Sequence, residues 1–196
     1  NGGATWVIQT SGTTNALYAV SFIPQSGTNT GTAVGEGGTI LRTTNGGATW
    51  VSQTSGTTNQ LYGVSFTDAN TGTAVGEGGT ILRTPDGGAT WVRQTSGTTN
   101  HLWAVSFIPQ SGTNTGTAVG DAGTILRTTD GGVTWVSQTS GMSDAFRAVS
   151  FTDALTGTAV ALAGRIRRTT DGGATWVSQT SGTTNNLFGV SFIPQS

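Results

Sequence analysis

Short runs of alternating apolar and polar residues recur along the whole chain, each cut off by glycine, asparagine or aspartate. One stretch shows the pattern: Leu61–Phe66 (LYGVSF), Gly72–Gly76 (GTAVG), Thr80–Thr84 (TILRT) and Thr90–Gln94 (TWVRQ). Valine, isoleucine, threonine and aromatics fill these runs, and a period of two with that content predicts β-strands. No stretch places apolar residues at helical spacing. The four predicted strands are called a, b, c and d in chain order.

The four-strand pattern repeats. The string G-[AV]-T-W-V carries its tryptophan at Trp6, Trp50, Trp91, Trp135 and Trp176, at spacings of 44, 41, 44 and 41 residues. One loop after strand a sets the alternation: odd units have the long Ile23–Gly31 and Ile108–Gly116 segments, even units the short Thr67–Gly72 and Thr152–Gly157. The larger period is therefore 85 residues, and Ala4–Gly47 differs from Ala89–Gly132 at six of 44 positions. Such closeness implies recent duplication or deliberate amplification. Four strands in a unit of about 40 residues is the spacing of a β-propeller blade. A solenoid of stacked hairpins is the alternative.

Strands c and d join through Thr84-Pro-Asp86-Gly-Gly88-Ala-Thr90-Trp91. The same frame holds Thr43, Asn45, Gly47, Thr49 and Trp50, then Thr128, Asp130, Gly132, Thr134 and Trp135, then Thr169, Asp171, Gly173, Thr175 and Trp176. An aspartate at a turn accepts backbone N–H bonds, glycine supplies positive φ, and the threonine hydroxyl closes the turn. Asn45 can make the same turn. This frame resembles the Asp-box, or BNR repeat, Ser/Thr-x-Asp-x-Gly-x-Thr-Trp. The whole unit resembles the photosystem II stability and assembly factor-like repeat group, across essentially the entire chain. The resemblance implies an all-β propeller of four-stranded antiparallel blades with Asp-box c–d hairpins. It also implies a binding or assembly role without enzyme activity, and Asp-boxes that are folding devices.

These features predict one tandem-repeat domain over residues 1–196. Its complete blades span 17–54, 61–95, 102–139 and 146–180. A split fifth blade draws strand d from Thr5–Thr10 and strand a from Leu187–Phe192 (residues 1–10 and 187–196), with no b or c. Unpaired strand edges accept other strands. The chain is therefore expected to be a homo-oligomer or part of a longer array.

Composition narrows the function. Charged residues make up 9% and the net charge is −1, so no basic stripe exists for nucleic acid. Thirty-two glycines accompany six tryptophans and 34% hydrophobic residues, which fits a turn-rich fold rather than disorder. Cysteine is absent, which removes disulfides and thiolate metal sites. No apolar run is long enough to span a membrane as a helix. Lysine is absent too, and all eight basic residues are arginine. That composition is read as extracytoplasmic: secreted, periplasmic or lumenal.

Chemistry-bearing residues are few. His101 is the one histidine and lacks metal or triad partners. Sialidases also use Asp-box propellers, and by resemblance need three arginines, a tyrosine–glutamate nucleophile and an acid aspartate. Here Tyr18 and Tyr62 are repeated strand-a residues, and Arg42, Arg83, Arg127 and Arg168 share one repeated place. Symmetry of that kind favours a structural role, so no catalytic, metal or cofactor site is expected. One rim acid per unit (Glu36, Glu77, Asp121) is too sparse for calcium.

Positions where the repeats differ are more informative. They are Ala16, Gln60, His101, Ala145 and Asn186, then Tyr18, Tyr62, Trp103, Arg147 and Phe188. Variation on a fixed scaffold is how a binding face diversifies, and aromatics there suit a protein or glycan partner. Inter-blade packing is the alternative. The fourth unit also concentrates Arg147, Arg165, Arg167 and Arg168, a candidate patch for carboxylate or phosphate. The reading is a non-enzymatic binding or assembly scaffold. The alternatives are a self-assembling structural repeat protein and, behind it, a sialidase-like glycosidase.

Overall fold

A computed structural model describes residues 5, 7–23, 29–108 and 114–192. It contains sixteen strands in four antiparallel sheets of four. The first holds β1 (Leu17–Phe22), β2 (Gly31–Gly35), β3 (Ile40–Thr43) and β4 (Val51–Gln53). The second holds β5 (Leu61–Phe66), β6 (Gly72–Gly76), β7 (Ile81–Thr84) and β8 (Val92–Gln94). The third holds β9 (Leu102–Phe107), β10 (Gly116–Gly120), β11 (Ile125–Thr128) and β12 (Val136–Gln138). The fourth holds β13 (Phe146–Phe151), β14 (Gly157–Ala161), β15 (Ile166–Thr169) and β16 (Val177–Gln179). Within each sheet the strands pair in chain order. These are the blades of a β-propeller, packed first on second, second on third and third on fourth.

Period-two alternation builds the core. Ala74 and Leu82 of the second blade face the first, in a cluster with Val34, Ile40, Leu61 and Phe66. Their chain neighbours Val75 and Ile81 face the third blade, against Leu102, Val105, Phe107 and Leu126. The third interface repeats this with Val119, Ile125, Phe146, Val149 and Phe151. A blade is thus apolar on both faces, and its neighbours bury it.

Arginines clasp the blades at the outer ends of these interfaces. Arg42 donates to Thr32 Oγ1 (2.7 Å) and to the Ala69 carbonyl of the next blade (2.6 Å). Its guanidinium lies 4.7 Å over the Phe66 ring. Arg127 does the same with Thr117, Ala154 and Phe151. Arg83 faces an odd blade and donates instead to the Gly131 carbonyl at 2.7 Å.

Each Asp-box closes as its residues predict. In the second blade Thr84 Oγ1 donates to Asp86 Oδ1 (2.9 Å) and accepts from the Gly88 N–H (2.8 Å). Asp86 also accepts from the Thr90 N–H (2.9 Å) and the Thr90 hydroxyl (2.6 Å). Asn45 keeps the frame but donates through Nδ2 to Thr49 Oγ1 at 2.9 Å. The box tryptophans meet the strand-a phenylalanines edge to face at 6.0–6.1 Å. Trp50, Trp91 and Trp135 are half-buried, and Trp176 is buried.

The chain ends carry no strand among the described residues. Residues 7–10 are exposed coil. Leu187–Phe192 lies against the fourth blade where a following strand a would sit. The Phe192 N–H donates to Ser150 Oγ at 3.0 Å, as Phe107 does to Ser65 Oγ at 3.1 Å. A strand needs a ladder partner, and this segment has no b strand beside it. Residues 1–4, 6 and 193–196 of the expected fifth blade lie outside the described residues.

Candidate binding face

The b–c turns and the d–a connections share one end of the molecule. In the second blade Asn59 Nδ2 donates to Thr80 Oγ1 (2.8 Å), and the Glu77 N–H donates to the Gln60 carbonyl (2.9 Å). The a–b loops and Asp-boxes meet at the other end, as in the Gly87 N–H to Asn70 carbonyl bond (2.7 Å).

Strand a begins at the first end, and there its pairing slips. Leu17 pairs Gly35 while Ala19 pairs Val34, which leaves Tyr18 as an extra residue. The same bulge falls on Tyr62, Trp103 and Arg147. A bulge re-aims its side chain and is common beside functional sites. In the first three blades glycine makes room for it: a Cβ at Gly76 would lie 2.0 Å from the Gln60 carbonyl oxygen; the fourth blade has Ala161 there, and its Leu162 N–H to Ala145 carbonyl bond lengthens to 3.2 Å. The repeat thus builds one outward-aimed position per blade, and it is one of the positions at which the repeats differ in sequence.

Those side chains form a continuous row. Tyr18 and Tyr62 are 5.7 Å apart at 48°, and Tyr62 stacks on Trp103 at 4.3 Å and 26°. The Arg147 guanidinium lies 4.1 Å over the Trp103 ring. Trp103 Nε1 donates to Asp121 Oδ1 at 2.6 Å, which fixes the indole. His101 stands edge-on to Tyr62 and Trp103 at 6.1 and 6.0 Å. Its Nδ1 accepts from the Gly78 N–H at 3.0 Å, which ties the ring to the b–c turn of the second blade. Burial, then the nearby Glu77, raises the Tyr62 hydroxyl above the ordinary tyrosine range. Tyr18, Gln60, Tyr62, Trp103, Arg147 and Phe188 line one cavity of about 450 Å³. Tyr18 and Phe188 are 47% and 68% exposed, so the row is open to a ligand.

Arg147 is the cation of the cavity. Its Nε is buried and has no hydrogen-bond partner. The other three arginines of the fourth unit do not join it. Arg165 pairs with Asp144 at 2.6 Å. Arg167 donates to the Gly141 carbonyl at 3.0 Å, in the strand position that Leu82 and Leu126 hold elsewhere. Arg168 is exposed at the Asp-box end of β15, in register with the clasps Arg42 and Arg127. Alternation along β15 sends Arg167 and Arg168 to opposite faces. The expected four-arginine patch is therefore one site residue, one ion pair and two blade-face residues.

Gln60 lines the cavity through one of the variable positions singled out in the sequence, whereas Asp121 enters only through its bond to Trp103, across 18 residues. Broader grooves of about 810 and 690 Å³ follow the d–a connections at Arg93–Asn100 and Ser52–Thr58. Both are lined by repeated hydroxyl and glycine residues, so they belong to the repeat rather than to a particular site. Among the described residues no cluster of three His, Cys, Asp or Glu could hold a metal. Arg42, Arg83 and Arg127 are spent on blade contacts and do not converge on one carboxylate. No described helix is long and apolar enough to cross a membrane.

Comparison with known proteins agrees with this architecture. The structure is similar to YCF48 bound to a D1 peptide, with a TM-score of 0.72 and 24% identity, over 95% of this chain and 60% of that one. It is similar to YCF48 from Cyanidioschyzon merolae, with a TM-score of 0.74 and 21% identity, over 99% of this chain and 67% of that one. An ancestral GH74 enzyme matches at a TM-score of 0.66 and 19% identity, over 88% of this chain and 25% of the enzyme. At these identities the likeness is one of fold. No curated protein is significantly similar in sequence. The family model for the photosynthesis system II assembly factor YCF48 matches residues 52–191; with that match covering most of the chain and the Asp-box blades it presupposes in place, the chain belongs to the YCF48 family.

Proposed function

We propose that this chain is a non-enzymatic assembly scaffold that holds a peptide segment of a partner protein along the row from Tyr18 to Phe188. One observation carries the reading. The one outward-aimed position of each repeat is among the few at which near-identical repeats differ, and those side chains line a single cavity. The chemistry suits a peptide. Aromatic edges and faces take apolar side chains, and Arg147 adds a guanidinium to the lining. A relative of the same fold is known with a D1 peptide bound, which supports a peptide rather than a glycan. An extracytoplasmic site of action fits the lysine-free composition and the family.

The test is a fluorescence-anisotropy screen of short labelled peptides against the whole chain. Binding peptides are expected, and Trp103→Ala and Arg147→Ala each weaken them about tenfold or more, the scale of a lost anchor. Binding unchanged by both substitutions would remove the row as the site. Retention on immobilised glycans, lost in Trp103→Ala, would replace peptide by sugar.

A further inference from the structure

We infer that the b–c turn of the third blade is a site for a side-chain carboxamide, the Asn or Gln of the partner segment, with the Ala122 N–H as donor and the Asp121 carboxylate as acceptor. The inference deepens the peptide reading above and rests on it for the partner, while its test reads the turn by itself.

The observation is a contrast between equivalent turns. Each b–c turn has a middle residue with left-handed backbone: Gly37, Gly78, Ala122 and Ala163. The variable residue that opens the next strand a lies 23 positions further on, and in two turns it takes that N–H. The Gly78 N–H donates to His101 Nδ1 at 3.0 Å, and the Ala163 N–H donates to Asn186 Oδ1 at 3.0 Å. In the first turn the counterpart is Gln60, which carries an acceptor of its own. In the third it is Ala145, whose methyl group accepts nothing. Among the described residues no group accepts from the Ala122 N–H. The neighbouring Asp144 is spent elsewhere: its carboxylate pairs with Arg165 at 2.6 Å, and its carbonyl accepts from the Gly123 N–H at 3.1 Å. The third turn therefore lacks the acceptor that the second and fourth receive from inside the chain.

The repeat also places this turn beside the row. His101, in the spot one blade earlier, stands edge-on to Tyr62 and Trp103 at 6.1 and 6.0 Å. One blade on, the same spot adjoins Trp103 and Arg147. Ala122 is exposed, so a ligand reaches it. The two internal acceptors are an imidazole nitrogen and a carboxamide oxygen, and neither is an anion. Asp121 stands one residue before Ala122. Its Oδ1 accepts from Trp103 Nε1 at 2.6 Å, and its Oδ2 has no hydrogen bond among the described residues. A carboxylate ligand would meet that charge. A carboxamide accepts from the Ala122 N–H through its oxygen and donates its NH2 to Asp121.

Amide NMR spectra of the isotope-labelled whole chain test this, in separate titrations with N-acetylasparagine methylamide and N-acetylaspartate methylamide. The Ala122 amide and the Trp103 indole signals are expected to shift saturably with the asparagine probe, while the Gly78 amide stays in place. Ala145→Asn, which copies Asn186, should move the Ala122 signal without a probe and abolish the response. Ala145→His, which copies His101, should do the same, and the dispersion of the same spectra shows that both variants are folded. His101→Ala should open the second turn, so that the Gly78 amide now responds. An Ala122 signal that the asparagine probe leaves unmoved overturns the inference, and so does a full response in folded Ala145→Asn. A larger shift with the aspartate probe overturns it too and makes the turn a carboxylate site. The row itself is read by peptide binding to Trp103→Ala and Arg147→Ala, so it can stand where the turn fails.

Discussion

Ala122 and Ala163 hold left-handed backbone, with φ of 52° and 55°. The first two blades place Gly37 and Gly78 there, at 62° and 60°. An L-residue in that region costs roughly 1 kcal/mol. Ala122→Gly and Ala163→Gly are each expected to raise thermal stability by somewhat less, because glycine also loosens the unfolded chain. Melting of the two variants against wild type checks this. The Asp-box aspartates respond to pH. Asp130 and Asp171 are pulled down to about 2, chiefly by the hydroxyls of Thr134 and Thr175, and then by those residues' N–H groups. Asp86 shifts in the same direction, again through Thr90. A depressed folded pKa stabilises above the unfolded value, about 3.9, and that stability is lost as pH falls through the folded value. The melting temperature is therefore expected to fall between about pH 4 and pH 2. Asn45 takes no part in that loss. Asp86→Asn, Asp130→Asn and Asp171→Asn together should make the profile shallower over that window, leaving the share of Asp68 and Asp153, which are also lowered.

At the scale of the blade and its interface, the tryptophan and the arginine are the joints. Trp91 is half-buried, packed edge-on to Phe66, and donates through Nε1 to Gln53 of the preceding blade at 3.3 Å. Full burial would predict a loss of about 3–5 kcal/mol for Trp91→Ala. With part of the ring in water, about 2–3 kcal/mol is expected, measured by urea denaturation. Arg127→Leu tests the clasp. It removes a charged donor from the Ala154 carbonyl and from Thr117 Oγ1. A loss of about 2 kcal/mol is expected, the scale of a hydrogen bond to a charged group. Arg168→Leu, on the exposed counterpart, should change the melting of the dilute chain little. Equal effects of the two substitutions would show that the clasp adds nothing between blades.

Across the whole molecule, stability is a sum of blade terms and neighbour terms, as in other repeat folds. The second and third blades have a neighbour on each face, whereas the first exposes Leu17, Val20 and Phe22. Amide exchange at β1–β4 is therefore expected to be faster than at β5–β12, in conditions where the chain is dilute. Uniform protection across all four sheets would mean that the blades unfold as one unit. The row proposed to hold a peptide crosses all four blades, so loosening the first blade should weaken binding at Tyr18 before it disturbs Trp103.

Alternating apolar positions, glycine punctuation and the repeated Thr-x-Asp-Gly-Gly-x-Thr-Trp frame are local facts, and they determined strands, hairpins and blades. Those features need contacts within a few residues, so the sequence alone carried them. The variable strand-a positions were legible as well, because repetition provides its own background. What they do was decided by tertiary structure. The bulge that aims Tyr18, Tyr62, Trp103 and Arg147 out of their sheets arises where β1, β5, β9 and β13 meet their partner strands. No one-dimensional pattern registers that slip. The arginines make the same point. Arg147, Arg165, Arg167 and Arg168 read as one basic patch by proximity in the chain. Strand alternation and the blade's two faces sent them to four different jobs, because a side chain's surroundings depend on which neighbour its face meets.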